Sequence, residues 1–217
     1  MRRYFITGTD TDCGKTYVTA RLVDYFFNAV AIKPVASGCI EIENQLISHD
    51  AQLLIKNNNF DLDLINPWRF KLPISPHIAA EKEGVRLSIT EIADYCLNLN
   101  MEGVEQLFIE GAGGLMVPLN YDETWIDWLK ITQIPVVVVV GIRLGCINHA
   151  LLTEAALNAH KIECIGWIAN CIDPNMQALS ENIDTLVHKL ESPLLATVPF
   201  ESNLLDLHFW PGLDNSK

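Results

Sequence analysis

The fold is decided by the stretch Gly8-Thr9-Asp10-Thr11-Asp12-Cys13-Gly14-Lys15-Thr16 near the start of the chain. Residues 4–7 before it predict a strand, and apolar residues at helical spacing follow it over residues 18–27. A glycine-rich turn between a strand and a helix is typical of a phosphate-binding loop. The spacing departs from the common G-x-x-x-x-G-K-[ST] pattern, because Thr9 occupies the place of the first glycine.

Strand and helix patterns alternate along the rest of the chain. Further strands are predicted over residues 29–33, 106–109, 135–140, 162–168 and 195–198. Helices are predicted over residues 49–57, 88–100, 147–160 and 176–190. The segment 61–84 carries three prolines without a clean period, and it predicts a loop with one helical turn near Pro76.

Several of these strands are apolar throughout, which indicates strands covered on both faces. The sequence therefore predicts one α/β domain over residues 1–217, with a mostly parallel sheet, helices on both faces and a P-loop NTPase-like arrangement. Ligands of such sheets bind beyond the carboxyl ends of the strands. Residues 212–217 are predicted to form a loose tail.

Composition excludes several classes of protein. The chain has 217 residues, of which 49% are hydrophobic, and this excludes a disordered or collagen-like chain. Its net charge of -12 predicts no nucleic-acid partner. The longest apolar stretch, residues 134–142, is too short to span a bilayer, so no membrane association is expected. The six cysteines have no zinc-site spacing, which favours reduced thiols in a cytoplasmic protein.

Candidate phosphoryl-transfer residues follow from the loop. Lys15 can reach the β and γ phosphates, and the Thr16 hydroxyl can ligate Mg²⁺. Glu110 ends an apolar strand at the same sheet edge and is a second metal ligand, or else a loop charge. Asp50 is either a third ligand or a carboxylate that stabilises a helix dipole. Lys33 closes the second strand before Ser37 and is either a site cation or an exposed lysine, and Ser37 alone fits a turn.

Seven blocks of sequence together resemble one enzyme family. They are Gly8 to Thr16, Lys33-Pro-Val-Ala-Ser-Gly38, Asn66-Pro-Trp68, Ser75-Pro-His77, Glu110-Gly-Ala-Gly-Gly114, Leu144-Gly-Cys-Ile-Asn-His149 and Gly166-Trp-Ile-Ala-Asn170. In this order they resemble the dethiobiotin synthetases of biotin biosynthesis, and the resemblance covers residues 4–199. The second and sixth blocks together are specific to that family, whereas the phosphate loop is shared more widely.

The resemblance implies an ATP- and Mg²⁺-dependent cyclo-ligase that acts on 7,8-diaminononanoate and CO₂. In this reaction the diamine captures CO₂ as a carbamate, and the carbamate attacks the γ-phosphate to form a carbamic-phosphoric anhydride. The second amine then closes the ureido ring and releases phosphate. The resemblance also implies a homodimer in which one protomer contributes to the partner's substrate site.

The same resemblance assigns roles to individual residues. The implied catalytic residues are Thr11, Lys15 and Lys33, and the implied metal ligands are Thr16, Asp50 and Glu110. The implied nucleotide-binding residues are Asp12, Cys13, Gly14, Lys15, Thr16 and Tyr17 around the phosphates, and Asn170, Val198, Pro199 and Phe200 around the adenine. The implied substrate-binding residues are Ser37, Gly145, Cys146, Ile147 and Asn148, of which the last four serve the carboxylate of the diamine.

Three residues depart from the family pattern, and three alternative functions stay open. Asp12, Cys13 and Arg143 stand where well-known members carry glutamate, valine and lysine.

A partitioning-type switch ATPase is the first alternative, but it carries a lysine at the place of Asp10. A cobyrinate-type amide synthase needs a further domain that uses glutamine. A bare nucleotide-binding module is the third alternative, and a turnover assay distinguishes it.

Overall fold

Strands and helices alternate along the chain, as the sequence predicts. The computed structural model describes residues 1–55 and 60–211. The strands are β1 (Arg2–Gly8), β2 (Ala29–Ile32), β3 (Val35–Ala36), β4 (Ile40–Ile42), β5 (Gln45–Ile47), β6 (Trp68–Arg69), β7 (Gln106–Gly114), β8 (Val136–Gly141), β9 (Cys164–Asn170), β10 (Leu194–Val198) and β11 (Asp206–Leu207). The helices are α1 (Lys15–Tyr25), α2 (His49–Ile55), α3 (Leu62–Ile65), α4 (Pro76–Lys82), α5 (Ile89–Asn98), α6 (Trp125–Thr132), α7 (Cys146–Ala159) and α8 (Leu179–Lys189).

Seven strands form the main sheet in the order β11-β10-β9-β8-β1-β7-β2. All neighbours pair in parallel except β11, which runs antiparallel to β10. Five valines and a glycine make up β8, and each of them is buried, as expected for a strand covered on both faces. The predicted fold class, a mostly parallel α/β sheet, is confirmed.

The strand order places helices on both faces of the sheet. The connection from β1 to β2 runs in one direction along the sheet. The connections from β7 to β8, from β8 to β9 and from β9 to β10 run in the other direction. Because such crossovers are right-handed, α1 covers one face, while α6, α7 and α8 cover the opposite face. The carboxyl ends of the parallel strands meet at one edge, and the loop after β1 opens where the chain direction reverses.

Two neighbouring residues of β1 anchor the two faces. Phe5 packs against Trp125 and Trp128 of α6, with both pairs of ring centroids 5.1 Å apart. Tyr4 points to the other face and packs against Trp210, with ring centroids 5.2 Å apart. Trp210 in turn contacts Phe26, which follows α1, with centroids 4.9 Å apart. Burial of each such side chain stabilises the fold by roughly 1.5–3 kcal/mol.

The segment predicted as a loop over residues 61–84 contains more regular structure than its sequence indicates. It includes α3 and β6, and α4 has seven residues rather than one turn. The short strand β6 pairs with β3, and the Trp68 N–H donates to the Pro34 carbonyl at 3.0 Å. Elements of two to four residues leave no readable period, so pairing with distant residues decides their structure.

Several smaller predictions also have outcomes. Residues 56–57 of the helix predicted over 49–57, and the predicted tail over 212–217, lie outside the described residues. No helix in the described residues is long and apolar enough to cross a membrane. All six cysteines are free thiols, as predicted.

Helix α6 offers a test of local stability. The Thr124 hydroxyl accepts a hydrogen bond from the Ile126 N–H at 3.2 Å, and Asp127 accepts one from the Thr124 N–H at 2.9 Å. We expect Asp127→Ala to lower the free energy of unfolding by about 1 kcal/mol at pH 7 in urea denaturation. The matched control Asp122→Ala removes a carboxylate whose side chain is 77% exposed and should change little.

The effect of Asp127 should depend on pH. The hydrogen bond from the Thr124 backbone holds the pKa of the Asp127 carboxyl below its ordinary value of 3.8. A lowered pKa stabilises the folded state above pH 3.8, and this contribution is lost as the pH falls through the folded value. The difference between wild type and Asp127→Ala should therefore shrink in acid, and a difference that grows there would contradict this account.

Candidate active site

The phosphate loop connects β1 to α1 and is shaped by close packing. Gly14 precedes α1 with φ of 81°, and a Cβ atom there would lie 2.1 Å from the Asn170 Nδ2 atom. A Cβ atom on Gly8 would lie 2.3 Å from the Cys13 Sγ atom. The Thr9 N–H donates to the Val139 carbonyl at 3.0 Å, and Thr9 is not among the residues with positive φ. The place of Thr9 therefore does not require glycine, which explains the unusual spacing.

The two polar side chains that follow Gly14 point in different directions. Lys15 is buried, and its Nζ atom donates to the carbonyls of Asp10 and Thr11 at 3.0 and 3.2 Å. The Thr16 hydroxyl donates to Glu110 Oε1 at 2.6 Å. Lys15 therefore lies across the loop, while Thr16 connects the loop to β7.

Lys33 joins the two predicted carboxylates. It follows β2 directly, and its Nζ atom lies 2.7 Å from Glu110 Oε1 and also contacts Asp50 Oδ2. Glu110 is completely buried on β7, the strand between β1 and β2. Asp50 lies in the first turn of α2. The structure thus brings Thr16, Lys33, Asp50 and Glu110 into one hydrogen-bonded group.

Charge compensation sets the ionisation of this group. Burial alone would lower the pKa of Lys33, but the negative charges of Glu110 and Asp50 raise it by a larger amount. The net shift of the pKa is therefore upward, and the amine stays an ammonium. For Asp50, burial raises the pKa of the carboxyl, and the Lys33 ammonium more than offsets this, so the pKa is lowered. Each charge here depends on its partners, because an unpaired buried charge is strongly destabilising.

The oxygen atoms of this group fit a magnesium ion. Glu110 Oε2 is buried and accepts no hydrogen bond from any described residue, so it keeps a free acceptor. The Thr16 hydroxyl and Asp50 line the same cleft of about 360 Å³. No cluster of three or more His, Cys, Asp or Glu side chains with metal-site geometry occurs in the described residues. Carboxylate and hydroxyl oxygens are donors that suit Mg²⁺, which usually keeps several waters and phosphate oxygens of its own.

Two residues that the sequence did not single out for a role hold this group in place. Asn66 is fully buried, and its Nδ2 atom donates to the Lys33 carbonyl at 2.6 Å. Its Oδ1 atom accepts a hydrogen bond from the Ser48 hydroxyl at 3.0 Å. The Ser48 hydroxyl also accepts one from the Ala51 N–H at 3.0 Å, at the start of α2. The sequence places Asn66 in a motif, but only the fold shows that it links Lys33 to the helix of Asp50.

The predicted adenine residues lie at the ends of β9 and β10, beside the phosphate loop. Asn170 is buried, and its Nδ2 atom donates to the Cys13 carbonyl at 2.9 Å, so part of its amide holds the loop. Val198 is opposite Asn170 in the strand pairing and its side chain is fully buried. Pro199 and Phe200 are exposed.

The loop residues also differ in exposure. Cys13 is buried, which agrees with a small packing residue, whereas Asp12 and Thr11 are exposed. Tyr17 is half-buried, and its hydroxyl donates to the Ser202 carbonyl at 2.5 Å. Tyr17 therefore attaches the segment that follows β10 to helix α1.

The predicted substrate residues fall in two places. Ser37 and Thr11 line a cavity of about 470 Å³, and Thr11 also lines a cavity of about 420 Å³ that reaches His149 on α7. Residues 145–148 form the start of α7 but are not among the described residues that line these cavities. The Cys146 side chain is buried, Asn148 is exposed, and Gly145 has φ of 94°.

Comparisons with known proteins agree with this geometry. A protein-family profile described as an AAA domain matches residues 2–206. The ATP-dependent dethiobiotin synthetase BioD of Legionella pneumophila (strain Paris) is 57% identical over 95% of this chain and 98% of the relative. The protein of the same name from Pseudoalteromonas translucida is 41% identical over 98% of this chain and 96% of the relative. The chain belongs to the ATP-dependent dethiobiotin synthetase family. The predicted family and its class of enzyme, an ATP-dependent ligase, are confirmed.

Solved structures agree on the fold. The superposition on the cell division protein MinD of Aquifex aeolicus spans 94% of this chain and 84% of MinD. Its TM-score is 0.57, and the two sequences are 15% identical. FtsY of Thermotoga maritima covers 96% of this chain and is covered to 65%, with a TM-score of 0.55 and 12% identity. At such identities these likenesses support the P-loop NTPase fold alone.

Gly14 offers a test of the loop packing. We expect Gly14→Ala to lower the free energy of unfolding by about 1–2 kcal/mol for the left-handed backbone, plus about 1–3 kcal/mol for the contact with Asn170. The matched control is Gly103→Ala, because Gly103 has φ of 77° and nothing within 4 Å of its Cβ position. Urea denaturation measures both variants. Equal losses would show that Asn170 does not restrict the loop.

Proposed function

We propose that this chain closes the ureido ring of dethiobiotin from 7,8-diaminononanoate, CO₂ and Mg-ATP through a carbamate and a carbamic-phosphoric anhydride. Family membership supports dethiobiotin synthetase activity in biotin biosynthesis, and the individual steps and residue roles are our proposal. The observation that carries it is the hydrogen-bonded group of Thr16, Glu110, Lys33 and Asp50. This group joins the phosphate loop to a lysine at the carboxyl edge of the sheet.

The proposed reaction has three steps. An amine of the diamine attacks CO₂, forms a C–N bond and loses a proton to leave a carbamate. A carbamate oxygen then attacks the γ-phosphorus of ATP, and the bond from that phosphorus to the bridging oxygen of ADP breaks. The second amine finally attacks the carbamoyl carbon, loses its proton and expels inorganic phosphate as the ring closes.

Positive charge and position are what the protein supplies to phosphoryl transfer. The transition state is loose and its charge is spread over the phosphoryl oxygens, so electrostatic stabilisation dominates. Lys15 lies in the loop and would contact the β and γ phosphates. Lys33 lies across the cleft of about 360 Å³ and, with Thr11 and Ser37, would face the carbamate and the transferred group. ATP binding would then replace the carbonyls that Lys15 contacts with phosphate oxygens.

Thr16, Asp50 and Glu110 would hold the magnesium ion. When bound, this ion neutralises phosphate charge. Both carboxylates already contact Lys33, so its ammonium would share their oxygens with a bound magnesium ion. Glu110 Oε2 is the acceptor that Lys33 leaves free.

The remaining contacts follow the family pattern. Asn170, Val198, Pro199 and Phe200 would surround the adenine, with Asp12, Cys13, Gly14 and Tyr17 around the phosphates. The N–H groups at the start of α7, over Gly145, Cys146, Ile147 and Asn148, would face the carboxylate of the diamine, with that of Cys146 already donating to the Arg143 carbonyl.

A homodimer would bring this helix start to the partner's site. Leu144, which lies just before α7, is 97% exposed, and Leu152 and Met116, which line the cavity of about 420 Å³, are 62% and 56% exposed. Exposed apolar groups gathered in one region favour a protein interface.

An assay of phosphate release from Mg-ATP, run with and without 7,8-diaminononanoate and bicarbonate, tests the proposal. Mass spectrometry of the same reactions gives the mass of the organic product. We expect phosphate and dethiobiotin only when both are present. Phosphate released regardless of the diamine would instead favour a switch ATPase. That alternative is weakened because Asp10 occupies the place of its lysine.

Lys33 offers a test of the assigned roles. We expect Lys33→Ala to lower kcat roughly 100-fold or more, because Lys33 acts on charge that develops in the transition state. In Lys33→Ala that thermal melting shows to be folded, the dissociation constant of ATP from calorimetry should change by less than about threefold. Lys71→Ala is the matched control, because Lys71 is 59% exposed and pairs with an exposed Glu41. A loss of ATP binding equal to the loss of turnover would remove the role of Lys33.

Glu110 offers a test of the metal site. We expect Glu110→Gln to weaken Mn²⁺ binding about tenfold or more, because the carboxylate charge is lost. Electron paramagnetic resonance without substrate measures this binding. Glu41→Gln removes a carboxylate in an exposed pair and should leave Mn²⁺ binding unchanged. Thermal melting shows whether each variant is folded. Unchanged Mn²⁺ affinity in a folded Glu110→Gln would place the metal elsewhere.

A further inference from the structure

Asp10 puts a negative charge into the loop that is expected to bind phosphates. Its Oδ1 atom accepts a hydrogen bond from the Thr11 N–H at 2.7 Å. Its own carbonyl accepts a hydrogen bond from Lys15 Nζ at 3.0 Å. The carboxylate is thus fixed within the loop, next to the lysine that would meet the phosphates. An uncompensated carboxylate at this place would repel a polyphosphate.

Arg143 provides the opposite charge. Its Nη2 atom contacts Asp10 Oδ2, although the two residues are 133 positions apart in the chain. The sequence marked Arg143 only as a departure from lysine and Asp10 only as a residue that argues against a switch ATPase. The fold brings them together, because β8 lies next to β1 in the sheet.

The backbone around Arg143 is held on both sides. The Ile142 N–H donates to the Asn170 carbonyl at 2.7 Å, and the Arg143 carbonyl accepts a hydrogen bond from the Cys146 N–H at 3.0 Å. Gly145 follows with φ of 94° and directly precedes α7. The guanidinium therefore extends from a fixed point, and its planar donors suit a carboxylate.

We propose that Arg143 is a positioning residue that neutralises Asp10 and so keeps the phosphate loop able to bind ATP. The inference rests on the proposed function only in taking this loop as the ATP site. The two side chains are 39% and 45% exposed, and an exposed pair of this kind contributes little to stability. The effect of Arg143 should therefore appear in nucleotide affinity rather than in folding.

Calorimetric titration of the full chain with ATP and Mg²⁺, without diamine, tests the proposal. We expect Arg143→Met to weaken ATP binding about tenfold. Arg143→Lys keeps the charge and should stay within about threefold of wild type. The double variant Asp10→Asn/Arg143→Met should stay within about threefold of Asp10→Asn alone, because the acid that Arg143 neutralises is gone.

Arg86→Met is the matched control, because Arg86 is 81% exposed and pairs with the exposed Asp122. It should leave ATP affinity unchanged. In turnover, the loss in kcat/KM of Arg143→Met should lie mainly in the KM for ATP.

Two results would overturn the proposal. Wild-type ATP affinity in Arg143→Met would show that the pair does not serve the loop. A double variant as weak as Arg143→Met would show that Arg143 does not act through Asp10. These ATP measurements need neither the diamine nor CO₂, so a failure to form dethiobiotin is distinguished from a failure of this inference.

Discussion

The contact of the Lys33 ammonium with buried Glu110 is the interaction on which the site depends. A completely buried carboxylate is tolerated only when a partner compensates its charge, and Lys33 provides it at 2.7 Å. This contact requires β7 to lie between β1 and β2, as it does in the sheet. The same strand order brings the Thr16 hydroxyl to the same Glu110 oxygen, Oε1. The sheet topology therefore assembles the phosphate loop, the carboxylate and the lysine in one step.

Structural residues and site residues share hydrogen bonds throughout this region. Asn66 ties the Lys33 backbone to Ser48, which begins the helix of Asp50. Asn170 holds the Cys13 carbonyl from the end of β9, and it also fills the space that a side chain on Gly14 would need. Both amides are buried and bonded, so their conformations are fixed before any ligand arrives. In the proposed reaction, such fixed groups would keep the loop and the carboxylates within the narrow tolerances of phosphoryl transfer.

The sequence predicted most of the fold and the members of the site, but not their contacts. Strands such as β8 are apolar throughout and helices such as α7 are long, so local pattern is enough to find them. Strand order depends on pairing between distant segments, so the position of β7 could not be read from the chain. The contact of Lys33 with Glu110 joins residues 77 positions apart, and that of Arg143 with Asp10 joins residues 133 apart. Residue type and spacing indicate such residues, whereas only the register of the sheet makes them neighbours.

A chain with a net charge of -12 must bind a polyphosphate against its own average field. The proposed site has few cations, and each of them already has a protein partner. Lys15 contacts loop carbonyls, Lys33 contacts Glu110 and Asp50, and Arg143 contacts Asp10. In the proposed role of Lys15, nucleotide binding would exchange its loop carbonyls for phosphate oxygens, so affinity would reflect the difference between two similar interactions. Local compensation of loop acids can therefore replace a basic surface.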